Sequence, residues 1–243
     1  MSITQIGDGQ WDFIDHDGSE TLLPPDTVAN VSFPTTWRIF GPVGADNTTI
    51  EWARKENYMW FREAIPAADA SVENLRDIPD SLEIGDETFK GRDRSMDGDT
   101  LPFSATFGGH EAGQQAYAIA EMEVSEETEV IFGAGCDWWM QWWIDGDPVY
   151  NTLEQGNRTG FPWPRGSQNS IIKRTDHCFR QTLSPGKHLI VVRTISGELS
   201  WVLRAGLASP REEFFYSLPY SNQWDFLPEL DEIHPPSIRP ALC

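Results

Sequence analysis

The run Gly135-Cys136-Asp137-Trp138-Trp139-Met140-Gln141-Trp142-Trp143-Ile144-Asp145-Gly146-Asp147-Pro148-Val149-Tyr150 constrains this chain more than any other, because four of its eleven tryptophans stand there, just ahead of an Asp-Gly pair. Asp-Gly between two apolar, β-prone runs predicts a hairpin closed by a type I′ turn, whose two central residues both need positive φ. Strand periodicity then puts Trp138, Met140, Trp142 and Ile144 on one face and Trp139, Gln141 and Trp143 on the other. The first face is wholly apolar and belongs to a core. The second is two indoles around an amide, too apolar to stand bare in water. An extra layer, a partner subunit or a flat ligand must cover it.

The rest of the chain repeats the β signal. Trp37-Arg38-Ile39-Phe40 alternates before Gly41-Pro42, and Ser81-Leu82-Glu83-Ile84 reads as a strand ending at Gly85-Asp86. Asp69 to Asp77 predicts a helical turn. Glu51 to Ile65 fits helix or strand, with Pro66 as its stop. From about residue 102 the strands follow one another. Ala118, Ala120, Met122 and Val124 alternate with Tyr117, Ile119, Glu121 and Glu123, and Glu129 to Ala134 follows. Ile171 to Arg174, Cys178 to Leu183 and Ser200 to Leu207 are further strands. Ser184-Pro185-Gly186-Lys187 has the residues of a type II turn. The near-continuous apolar run Leu189 to Ile195 after it marks a strand buried on both faces. Short strands at this spacing predict an all-β antiparallel sandwich or barrel. Residues 1–36 read as an irregular N-terminal arm, 37–209 as the β domain, and 210–243 as a C-terminal arm. That last arm interleaves Pro210, Pro219, Pro228, Pro235, Pro236 and Pro240 with Phe214, Phe215, Tyr216, Trp224 and Phe226. The aromatics require burial, so both arms are expected to dock on a surface, their own or a neighbouring subunit's.

Charge narrows the partners. The net charge of −20 repels a duplex or an anionic lipid surface, so nucleic-acid and membrane binding are not expected. No apolar run is long enough for a membrane span. Met1-Ser2-Ile3-Thr4-Gln5 shows no basic or apolar signal segment, so the expected location is the cytoplasm or an assembled particle if Met1 is the native start, and otherwise outside the cell. Cys136, Cys178 and Cys243 are odd in number and far apart, which gives no disulfide framework; the first two read as buried thiols or as one bridge.

The order of signals from Trp37 to Leu207 resembles galactose-binding-like jelly-roll domains, found beside catalytic domains of bacterial carbohydrate-active enzymes. The residues that carry the likeness are Trp37-Arg38-Ile39-Phe40-Gly41-Pro42, Asp137-Trp138-Trp139-Met140-Gln141-Trp142-Trp143-Ile144-Asp145-Gly146, Gly156-Asn157, Leu183-Ser184-Pro185-Gly186-Lys187-His188 and Ser196-Gly197-Glu198-Leu199-Ser200-Trp201. His188 stands where such domains usually have Asn. The resemblance implies an antiparallel jelly-roll β-sandwich and a role in sugar binding, scaffolding or linking.

Candidate sites follow from the surplus of indoles. The loop 153–170 is longer than a connection needs, and it holds Asn157, Arg158, Trp163 between two prolines, and Arg165. A stiff indole with amide and guanidinium donors suits a sugar ring. The same indole also suits covering the hairpin or touching a subunit. Trp139 and Trp143 face the same choice. Asp93-Arg94-Ser95-Met96-Asp97-Gly98-Asp99 spaces Asp93, Ser95, Asp97 and Asp99 like the front of a Ca²⁺ loop, without the closing Glu. His110-Glu111 beside Gly108-Gly109 is the most catalytic-looking local pair, with a plain turn as the alternative. Among 38 carboxylates no glycosidase-like acid pair can be picked out. The expectation is a non-catalytic carbohydrate-binding module. The alternative is a structural subunit of a homo-oligomeric shell, filament or surface layer, with 1–36 and 210–243 making the subunit contacts.

Overall fold

The computed structural model describes residues 2–6, 10–14, 20–21, 31–44, 70–152, 172–174, 176–197, 200–209 and 213, the first three segments at the level of backbone. The strands are β1 (Ser2–Ile6), β2 (Gln10–Ile14), β3 (Glu20–Thr21), β4 (Thr36–Val43), β5 (Ser81–Ile84), β6 (Glu87–Lys90), β7 (Arg92–Ser95), β8 (Thr100–Pro102), β9 (Gln115–Val124), β10 (Thr128–Cys136), β11 (Trp138–Ile144), β12 (Asp147–Asn151), β13 (His177–Leu183), β14 (Gly186–Ser196) and β15 (Val202–Leu207). A single-turn helix, α1 (Phe103–Phe107), and a 3-10 turn, Val72–Asn74, complete the described elements. The fold is all-β and antiparallel, as expected.

Two sheets make the sandwich. One runs β12-β11-β14-β9-β4-β7 and the other β13-β10-β15-β8. The connections β9–β10, β10–β11, β12–β13, β13–β14 and β14–β15 each cross from one sheet to the other, while β11–β12 is a hairpin. At its turn Asp145 has φ 54° and Gly146 φ 91°, the paired positive values that a type I′ turn demands. Period two in β11 sends Met140, Trp142 and Ile144 inward, where they meet Ala118, Ala120 and Met122 of β9 and Val130, Phe132 and Ala134 of β10. Trp37, Trp142 and Trp201 are fully buried there, and each such side chain contributes roughly 2–3 kcal/mol through its lost apolar surface. The ring of Phe132 stacks on Phe179 at 5.3 Å and Trp142 meets Phe179 edge-on at 5.5 Å.

The other face of the six-stranded sheet carries a third layer from the chain itself. Val72, Leu82 and Ile84, with Ala70, Leu75, Ile78 and Phe89, pack on Phe40, Tyr117, Ile119, Leu189, Val191 and Trp143. Of the three covers that the hairpin's second face allowed, an extra layer is the one found over Trp143. Arg38 ties that layer to the sheet: its guanidinium donates to Asp93 at 2.7 and 3.1 Å and to Asp80 at 3.1 Å.

Two sequence expectations are corrected. The N-terminal arm is not irregular throughout, because β1, β2 and β3 pair as a three-stranded antiparallel sheet. Ile172 to Arg174 is not a strand but a strap lying flat on the outer face of β10 and β15. Gly133, Gly135 and Gly206 line its bed; a Cβ on Gly135 would stand 2.1 Å from the Lys173 carbonyl oxygen. Residues 51–65 and the loop from 153 lie outside the described residues.

Candidate functional site

Strand register assembles the site on the outer face of the six-stranded sheet. Asn151 of β12, Gln141 of β11, Arg193 of β14, Tyr117 of β9 and Phe40 of β4 are partners in one cross-strand row. Residues in such a row share a face and stand close enough to interact. Trp139 and Trp143, two positions either side of Gln141, bracket the row. Period two in β11 is what presents both indoles on the side away from the sandwich core.

Arg193 is the hub. Its Nη1 donates to Gln141 Oε1 at 3.2 Å, its Nε to Gln115 Oε1 at 2.9 Å, and Nη2 also reaches Gln115. The guanidinium lies over the Tyr117 ring, 6.0 Å from its centroid. Tyr117 in turn stands 6.4 Å from the Trp143 ring and accepts the Ala70 N–H at 3.2 Å, so the covering layer is bonded to the row. Arg193 is 7% exposed and Trp139 6%, while Gln141, Trp143 and Asn151 are half-buried and form the open rim. A guanidinium is always charged and offers a rigid fork of donors; amide side chains both donate and accept.

The predicted loop starts at this rim. Thr152 follows Asn151, and its hydroxyl accepts the Met140 N–H at 3.0 Å and donates to the Met140 carbonyl at 3.2 Å, which fixes the root of the loop to β11. Asn157, Arg158, Trp163 and Arg165 themselves lie outside the described residues.

The four candidate Ca²⁺ ligands do not converge. Asp93 is held by Arg38, whose hydrogen bond keeps its carboxyl below the usual range. Ser95 lies in β7, Asp97 closes a backbone bridge with Thr100, and Asp99 accepts Arg204 at 2.8 Å and Thr100 at 3.0 Å. Among the described residues no group of three or more His, Cys, Asp or Glu side chains is placed to hold a metal ion.

His110 does meet a hydroxyl: its Nδ1 is 2.9 Å from Ser104 Oγ. A serine–histidine contact is the first requirement of a nucleophile–base pair. Here the Ser104 hydroxyl also accepts the Trp201 N–H at 3.1 Å, and the N–H groups of Gly108 and Gly109 both turn to the Ser104 carbonyl. Those two N–H groups are therefore engaged within α1 and do not face the Ser104 hydroxyl. The contact pins α1 to the start of β15.

The Arg193 row is not among the residues singled out from sequence. Its signal was a lone arginine inside the apolar run Leu189 to Ile195.

No family model matches the chain. No curated protein matches it either. Solved structures similar to it include a GH31 α-xylosidase from Xanthomonas citri, 18% identical with TM-score 0.30 over 48% of this chain and 12% of that one. A selenomethionine-labelled β-glucosidase from Kluyveromyces marxianus is 12% identical, with TM-score 0.39 over 86% of this chain and 19% of its own. The same organism's β-glucosidase in complex with glucose is 11% identical, with TM-score 0.35 over 82% and 18%. The chain thus spans less than a fifth of the length of each of these proteins. At such scores the likeness transfers no activity.

Proposed function

We propose that the chain is a non-catalytic carbohydrate-binding β-sandwich module. The residues proposed to contact the sugar are Gln141, Trp143 and Asn151 of the rim, with Trp139 beneath, together with the sequence candidates Asn157, Arg158, Trp163 and Arg165. The observation that carries this reading is the Asn151–Gln141–Arg193–Tyr117 row, bracketed by two indoles at a sheet edge where a long loop begins. Each sugar hydroxyl donates and accepts, so it suits the Gln141 and Asn151 amides, the first oriented by Arg193, and the apolar faces of a sugar ring suit an indole. Holding these groups in a sheet removes much of the ordering cost of binding.

The test is affinity electrophoresis through gels containing neutral polysaccharides, with release of reducing sugar assayed in parallel. Retardation in at least one gel without any release is expected. Unchanged mobility in every gel contradicts the binding role, and released sugar contradicts the non-catalytic one.

A further inference from the structure

His188 opens the buried part of β14 and touches two turns at once. Its Nδ1 stands 2.6 Å from Asp145 Oδ2 in the β11–β12 turn, and its Nε2 stands 2.8 Å from the Ser184 carbonyl oxygen before β14. Both partners are acceptors. A neutral imidazole has one N–H and one lone pair, so it satisfies only one of them; the imidazolium satisfies both. The ring itself is 7% exposed, while Asp145 and Ser184, which flank it, are exposed. Asp145 is itself committed, accepting the Leu189 N–H at 2.8 Å through Oδ1, and its φ of 54° is unusual for a residue with a side chain.

We propose that His188 is carried as an imidazolium latching the Asp145-Gly146 turn to the turn at Ser184, and that loss of its proton frees the first turn and loosens the layer over Trp143. The link to that layer is a close approach. A Cβ on Gly146 would lie 2.3 Å from the Glu73 carbonyl oxygen, so the turn supports the Val72–Asn74 segment, whose Val72 packs in the same cluster as Trp143.

Other charges nearby are engaged elsewhere. Opposite His188 on β9 is Met122; Glu121, beside it, pairs with Lys187 at 2.6 Å, Glu123 and Asp77 also act on Lys187, and Asp147 after the turn is exposed. Burial opposes the charge, but the Ser184 and Asp145 bonds outweigh it and hold the ring above its ordinary value. The stabilisation is therefore complete below the unfolded value near 6.5 and is lost as pH rises through the higher folded value.

Nitrogen-15 NMR of the imidazoles at about pH 6.5, where a free ring is half charged, reads the latch directly. More than half protonation of His188 is expected; half protonation or less overturns the assignment. Hydrogen exchange of peptide 70–78, corrected for intrinsic rates, is expected to speed up severalfold between about pH 6.5 and about pH 8.5 in the wild type, and to show no such step in His188→Asn. Asp145→Asn, which tolerates the same φ, is expected to move the step to lower pH. A charged ring with exchange in 70–78 indifferent to pH, or equal steps in all three proteins, overturns the coupling to the layer.

Discussion

Gln141 of β11 and Arg193 of β14 stand directly opposite one another on the outer face of the six-stranded sheet, with 3.2 Å between Oε1 and Nη1. A charged side chain set inside the run Leu189 to Ile195 is costly unless its donors are used. Here Gln141, Gln115 and the Tyr117 ring use them. Arg193→Met fills similar volume but strips charged donors from two amide oxygens, and it should cost about 1.5–3 kcal/mol in urea unfolding. Arg193→Lys should recover less than half of that, since an ammonium lacks the fork that spans both glutamines. A loss within a few tenths of a kcal/mol for either variant would show that the row is not held by this guanidinium.

Gly135 predicts a second loss, far from the row. The strap at Lys173 lies so close over β10 that a Cβ must displace backbone, not a flexible side chain. Gly135→Ala should therefore cost about 1–3 kcal/mol. Gly44→Ala, where a Cβ meets nothing within 4 Å, should be close to neutral. Urea midpoints of the two variants make the comparison.

Cys136 is fully buried, and burial, with Asp137 next to it, pushes its thiol well above the ordinary value. At about pH 8 the native protein should leave Cys136 unmodified by iodoacetamide, while the denatured chain is alkylated there. Peptide mapping by mass spectrometry separates the two. The sign for stability is the same as for any raised group: it is intact below the unfolded thiol value and declines as pH climbs from there towards the folded one.

The hairpin at Asp145-Gly146 was legible because it needs only local information, a period of two on one side and a turn pair that accepts positive φ. The two-sided burial of β14 was legible for a like reason. Arg193 was not, because its partners lie 78 and 52 residues away and only strand register brings them into one row. Ile172 to Arg174 misleads for a related cause: what holds it is a bed of glycines on β10 and β15, invisible in its own residues. The pairing of β1 with β2 did leave a local mark, since Gly7-Asp8-Gly9 separates two alternating runs. The layer over Trp143 was half legible: the strand at Ser81–Ile84 could be read, its place on the sheet could not.

The carbohydrate-binding reading of the outer-face rim is tested most directly by titrating the protein with an oligosaccharide of whichever polysaccharide retards it, in the wild type, Gln141→Ala and Trp143→Ala, by calorimetry. The wild type should bind, and each variant, while still folded by circular dichroism, should lose at least about tenfold in affinity, the equivalent of roughly 1.4 kcal/mol. Undiminished binding by both folded variants would contradict it.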